Sequence, residues 1–148
     1  MGLSDSRNLG ISVELREWLI LEVSTSSEYL KSEGTSSCSV AGTLNVEDNP
    51  VNIRALVCVP KNQVVQLHVQ ALGDLLGQGG KTIPISNVAW QSKGTGFSNG
   101  ILGKGTPQVM ASWIGPGIYN GSINYFFLDD SNTKGSYSQR IIYSLIMP

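Results

Sequence analysis

Between Val64 and Ala71 the chain alternates without a break: Val65, Leu67, Val69 and Ala71 are apolar, while Gln66, His68 and Gln70 between them are polar. Successive side chains of an extended strand point to opposite faces, so the pattern predicts a strand with one buried and one solvated face. The same period of two recurs along the chain. Cys38, Val40, Leu44 and Val46 share one parity, and Val13, Leu15, Leu19, Leu21 and Val23 share another, broken at Glu17. Propensity alone would allow a helix from Glu14 to Glu22, but the alternation favours a strand from Ser12 to Val23. Val51 to Val59 is a near-continuous apolar run stopped by Pro60.

Turn chemistry separates these segments. Asp48-Asn49-Pro50, Gly115-Pro116-Gly117 and Asp129-Asp130-Ser131-Asn132 predict reversals, and Asn99-Gly100 and Asn120-Gly121 predict tight hairpins. Ser24 to Ser37 predicts a polar connection with a short strand around Tyr29-Leu30. Further strands are expected at Ile83–Trp90, Gly94–Phe97, Ile101–Leu102, Val109–Ile114 and Ser122–Leu128. The chain has 148 residues, 17 of them Gly, and only 14% are charged. That size suits one domain, and the expected fold is all-β: a single immunoglobulin-like or jelly-roll-type β-sandwich of about eight antiparallel strands. It covers residues 12–148, behind a flexible polar arm at 1–11.

In the last fourteen residues, Gly135 to Pro148, the odd positions Tyr137, Ile141, Tyr143 and Leu145 are again apolar or aromatic, with Gln139 interrupting. A Gly135-x-Tyr137 pair that opens a final strand running to a terminal Pro resembles the closing strand of secreted bacterial immunoglobulin-like surface domains, of pilin or spore-coat type. The resemblance implies an extracellular or cell-surface location. Gly135 and Tyr137 also occupy the place of a tyrosine corner, in which the phenol hydroxyl bonds back to the preceding connection and pins the sandwich.

Several kinds of chemistry find little footing. A net charge of −1 leaves no electrostatic footprint for nucleic acid, and no apolar run reaches the ~20 residues of a membrane span. No basic segment followed by an apolar one opens the chain, so a secreted protein would have lost its leader already. Met1-Gly2 with Ser6 fits a myristoylation pattern, but Met-Gly is also a common vector-derived start. Gly79-Gly80-Lys81-Thr82 looks like the end of a phosphate loop, yet Leu75 stands where the first Gly belongs and a strand follows instead of a helix. The single histidine, His68, lies on a polar strand face with no nucleophile or orienting acid nearby. Asp129-Asp130 fits turn chemistry better than calcium binding. No metal, cofactor or enzymatic activity is expected.

Cys38 and Cys58 are too few for a zinc cage. One disulfide is expected between them, with two buried thiols as the alternative. Cys58 has the opposite parity to Ile53, Ala55, Val57 and Val59, so a bridge requires a bulge or a change of inward face near Leu56. Trp90, Trp113 and Tyr119 lie in or beside Gly-rich segments and form a candidate carbohydrate-stacking set. Trp90 shares parity with Val88, and Trp113 with Val109 and Ala111, so both indoles are also expected to face the core; Tyr119 is the more exposed candidate. Asn120-Gly121-Ser122 is a glycosylation sequon, although a hairpin there needs no modification.

The expected role is a non-enzymatic extracellular structural or adhesive subunit that pairs with itself or another surface protein. The route would be β-strand addition, with Met1–Val23 as the donated arm or, alternatively, as the first strand of its own domain. Low charge along Ile141–Met147 would leave that strand open to pairing. A polysaccharide-binding module and a viral or phage structural protein are the alternatives.

Overall fold

The computed structural model describes residues 16–148. Its strands are β1 (Trp18–Ser24), β2 (Tyr29–Gly34), β3 (Ser37–Leu44), β4 (Val51–Cys58) and β5 (Val64–Ala71), then the two-residue β6 (Leu75–Leu76) and β7 (Thr82–Ile83). They continue with β8 (Val88–Lys93), the short β9 (Gly100–Ile101), β10 (Gln108–Ile114), β11 (Gly117–Phe127) and β12 (Gln139–Ile146). The first sheet has the order β2-β1-β4-β11-β8-β9 and the second β10-β5-β12-β3, with β6 and β7 forming a small hairpin. All these pairings are antiparallel. The all-β sandwich expected from the sequence is the fold. No helix of the described residues is long and apolar enough to cross a membrane.

The core follows from parity. Leu19, Leu21 and Val23 of β1 and Val51, Ile53, Ala55 and Val57 of β4 point inward from one sheet. Val65, Leu67, Val69 and Ala71 of β5 and Ile141, Tyr143 and Leu145 of β12 meet them from the other. A strand whose inward residues are all large and apolar cannot slip by one position without turning that whole set into water, so the pattern sets the register as well as the face. Burial of each such side chain is worth about 1.5–3 kcal/mol, and the sum over the interface is what holds two flat sheets together.

Several expectations need adjustment. The short strand expected around Tyr29-Leu30 takes up more of Ser24–Ser37: β2 runs six residues and pairs in register with β1 from Leu19↔Gly34 to Ser24↔Tyr29. Its inward positions are Leu30, Ser32 and Gly34, only one of them apolar, and so hydrophobic alternation left little trace. Asn120-Gly121 is not a hairpin but lies inside the eleven-residue β11, opposite Arg54 and Ile53. A Cβ at Gly121 would stand 2.3 Å from the Phe97 ring, so this glycine serves close packing rather than a turn. Finally, Gly94–Phe97 is not a strand, and Asn99-Gly100 therefore turns no hairpin out of it: Gly100 opens β9, paired with Trp90 of β8, while Gly94 and Gly96 have φ of 134° and 86° and the loop lies along β10. There it makes Ser98 N–H to Met110 O and Ser112 N–H to Gly96 O bonds.

Both ends of the sequence's low-charge strands are accounted for within the chain. β12 sits between β5 and β3, and β1 between β2 and β4. The backbone of Trp18–Ser24 is therefore already paired within its own domain; the rest of the proposed arm, up to residue 15, lies outside the described residues.

Between the sheets, Tyr125 of β11 and Tyr143 of β12 share a 2.7 Å hydroxyl–hydroxyl hydrogen bond, with both residues at most 3% exposed. Burial is the main cause that pushes both phenols well above their ordinary value of 10.0. Removing one hydroxyl strands the other in an apolar layer, so Tyr125→Phe or Tyr143→Phe is expected to cost about 1–3 kcal/mol. The double Phe variant is expected to cost less than the two single changes added together, as measured by urea unfolding. The raised phenols keep their protons in the fold when the unfolded chain loses its own. Their contribution is therefore complete below the unfolded pKa and is lost as pH climbs beyond it. Wild-type stability is expected to fall above about pH 10 more steeply than that of the double Phe variant.

Candidate functional site

The three aromatic residues singled out for ligand stacking are used mainly in packing. Trp90 is 2% exposed and its Nε1 donates to Ser98 O at 2.7 Å. Trp113 is 5% exposed and its Nε1 donates to Thr95 O at 2.8 Å. Both indole N–H groups thus hold the 94–99 loop against the sandwich. Phe97 from that loop meets Trp113 edge-on at 5.4 Å, and Tyr119 stacks on its other side at 4.7 Å and 4°. The Tyr119 hydroxyl donates to Gly115 O at 2.7 Å. Tyr119 is half-buried, with its ring against the core and its hydroxyl on the turn where the chain passes from β10 in one sheet to β11 in the other.

That bond is the corner contact expected of Tyr137, made by a different tyrosine. Tyr137 lies before β12, and its hydroxyl has no hydrogen-bond partner among the described residues. Its ring rests instead on Gly77, where a Cβ would stand 2.6 Å away. Gly135 has a φ of 106°, which explains the glycine as a backbone requirement of the loop. The signal that could have found the true corner is the run Gly115-Pro116-Gly117-x-Tyr119: a sharp turn with a phenol four residues after its first glycine.

The expected disulfide is not formed: Cys38 and Cys58 are both free. No bulge interrupts β4, so the parity argument holds. Cys38 of β3 points into the core, while Cys58 points out of the other sheet, directly opposite Trp18. Burial pushes the Cys38 thiol up to about 11.

His68 lies on the outer face of the second sheet, its Nε2 3.0 Å from Gln66 Oε1, and partial burial lowers its pKa. Its neighbours across the strands are Ser144 and Val109. Gly79 and Gly80 take positive φ in a single turn and Lys81 leads into β7, so the phosphate-loop resemblance ends in a hairpin. Among the described residues no three His, Cys, Asp or Glu side chains come together as a metal set.

Two surface features stand out instead. On the outer face of the first sheet, Ile20, Leu56 and Ile118 are direct cross-strand partners on β1, β4 and β11. Trp18 extends this row beside Cys58, and Trp18 and Ile118 are 41% and 58% exposed. Glu33 continues the Ile20 row onto β2, and the next row carries Lys31, Glu22, Arg54 and Asn120. Strands stand about 4.8 Å apart, so these apolar groups make one continuous strip with charges of both signs along its margin. The pattern was in the sequence as the even-numbered residues Trp18, Ile20 and Leu56, which interrupt otherwise polar outward positions.

The second feature is a polar groove at the end of the sandwich, between the β6–β7 hairpin and the loop from Asp129 to Ser138. Lys81, Thr82, Ser131, Asn132, Lys134 and Tyr137 line it. Nothing local in sequence links the two walls. They are joined by a pair of backbone bonds, Leu76 N–H to Ser138 O at 2.8 Å and Ser138 N–H to Leu76 O at 3.0 Å.

The different placement of the two thiols has a direct readout. In native protein a thiol reagent is expected to label Cys58 and leave Cys38 unmodified until the chain is unfolded. Labelling followed by peptide mass mapping would show it, and protection of both sulfurs in unreduced, unfolded protein would restore the disulfide. No protein-family model matches the chain, and no curated protein sequence matches it either.

Proposed function

We propose that this protein is a non-enzymatic structural or adhesive subunit that associates with copies of itself at a cell surface or in secreted material. The observation that carries the reading is the Trp18, Ile20, Leu56 and Ile118 strip on the outer face of the first sheet. A contiguous apolar strip on an outer sheet face costs free energy while it faces water and is relieved by a partner surface. The charges beside it favour a second copy as that partner. Lys31, Glu22 and Arg54 lie in the row along one side of the strip and Glu33 at its β2 end, so a copy turned by a two-fold axis can set positive against negative along that side.

The geometry also bears on the route. Strand addition needs an unpaired edge, and β1 and β12 have none to offer. β3 is guarded where the Glu28 carboxylate accepts the Thr43 N–H at 3.0 Å, and β10 is covered by the 94–98 loop. The outer sides of β2 and of the two-residue β9 remain, and that of β2 lies next to the apolar strip, so face packing and edge pairing there would use one continuous surface. Lys31 and Glu33 on β2 weaken edge pairing by itself, and face packing is the better-supported mode.

Ile118→Lys puts a charge at the β11 end of the strip, at a residue more than half exposed, so the fold is expected to change by no more than about 0.5 kcal/mol. Sedimentation velocity over a concentration series is expected to show association of the wild type and its loss in the variant, with thermal unfolding unchanged. A wild type that stays monomeric throughout, or a variant that associates equally well, would end the proposal.

A further inference from the structure

The groove at the end of the sandwich goes beyond self-association, and we infer that it binds an acidic polysaccharide. Its size is suitable: about 550 Å³, in the range of small-ligand clefts. It continues at one end past Gln78 and Ser136 and at the other past Ser86 and Asn87, so the opening is an extended channel and not a pit. A chain of sugar units fits such a channel better than a compact metabolite does.

The lining supplies three kinds of contact that sugars use. Tyr137 offers a half-buried ring that lies close against Gly77, so the phenol is supported without needing the ligand to hold it. An aromatic face packs against the C–H face of a pyranose through the same dispersion and quadrupole terms that pair aromatic rings with apolar groups. Thr82, Ser131 and Asn132 present hydroxyls and an amide, which can donate to or accept from sugar hydroxyls. Lys81 and Lys134 stand in the same part of the groove as Tyr137, and neither pairs with a carboxylate among the described residues. Two unpaired ammonium groups beside a sugar-stacking ring select a carboxylate or sulfate on the sugar. Asp129 is the carboxylate at the channel's far end, and its Oδ1 already accepts the Ser131 N–H at 3.0 Å.

The walls are also held in place before any ligand arrives. The Leu76–Ser138 bond pair fixes the base, and Gly77 N–H to Lys81 O at 2.9 Å closes the hairpin. On the other wall the Asn87 side chain acts as a backbone surrogate, donating to Asp129 O at 2.7 Å and accepting from Asp129 N–H at 2.8 Å. Preorganisation of this kind lowers the ordering cost of binding.

Native affinity electrophoresis tests the inference with polygalacturonate, dextran sulfate and neutral dextran as the probes in the gel. Retardation by one or both acidic polymers and none by neutral dextran is expected. K81Q/K134Q alters only exposed side chains and is expected to weaken retention roughly ten- to hundredfold with the fold intact by circular dichroism. Tyr137→Leu is expected to weaken it about tenfold. Loss in the lysine variant with no change in Tyr137→Leu would reduce the site to bare charge attraction and overturn the sugar-binding claim. Equal retardation by neutral dextran, competition by inorganic sulfate as effective as by the polymer, or no retardation at all would overturn it too. Ile118→Lys is expected to retain full binding, which separates this result from the outcome of the self-association test.

Discussion

Two sheets can share one interior only if every side chain between them is content without water, and the Tyr125–Tyr143 pair is where that condition is hardest to meet. Each phenol brings a hydroxyl into a predominantly apolar core, and each hydroxyl is satisfied by the other at 2.7 Å. The bond spans from β11 to β12, the central strands of their sheets, so it ties the layers to each other as well as satisfying its own members. Apolar packing alone sets no unique distance along the strands; a hydrogen bond with a short, directional optimum does. Among the many contacts that set how the two sheets face each other, this one adds a direction that apolar packing lacks.

Loops are fastened to that frame by side chains that imitate backbone. Asn49 donates from Nδ2 to Tyr125 O and to Val46 O, both at 2.8 Å, and accepts Tyr125 N–H at 3.0 Å, which locks the β3–β4 turn to the middle of the molecule. Asn87 does the same for the exit of β11 at Asp129. Trp90 and Trp113 reach from the core to hold Ser98 and Thr95. An amide carries a donor and an acceptor at nearly peptide spacing, so asparagine can complete a ladder where no strand is available. The result is a small domain whose long irregular segments are tied down at both ends, and whose polar groove therefore has set walls.

The surface divides by the same logic. The outer face of the second sheet carries Ser, Thr, Gln and His, with Ser39 and Ser144 in hydrogen-bonding contact at 2.8 Å, beside the exposed Val109 and Ile114 on its β10 edge. The outer face of the first sheet is mixed, with an apolar strip in register across three strands. Since β1 and β4 are flanked on both sides, their backbones are satisfied, and what this face offers a partner is side chains. Association by packing follows from that more readily than association by strand donation.

Where the buried side chain was the whole signal, the linear order of residues was enough. Val65, Leu67, Val69 and Ala71 announced β5 and its inward face, and Ile141, Tyr143 and Leu145 announced β12. A bridge between Cys38 and Cys58 was expected although Cys58 has the outward parity of its own strand, and that parity prevailed: both thiols are free. Strand β2 was legible only around Tyr29-Leu30, because its inward positions Leu30, Ser32 and Gly34 hold a single apolar side chain. Asn120-Gly121 misled because a glycine under an aromatic ring and a glycine in a hairpin are the same letter. Of the groove, Lys81 and Tyr137 could be noticed singly, but they are brought to one channel by hydrogen bonds between Leu76 and Ser138, far apart in the chain. Alternation is a local property, fixed by the geometry of one strand, and the sequence by itself determined which residues turn inward. Which strands become neighbours, which edge stays open and which loops face each other are decided by long-range pairing, and only the tertiary structure contains it.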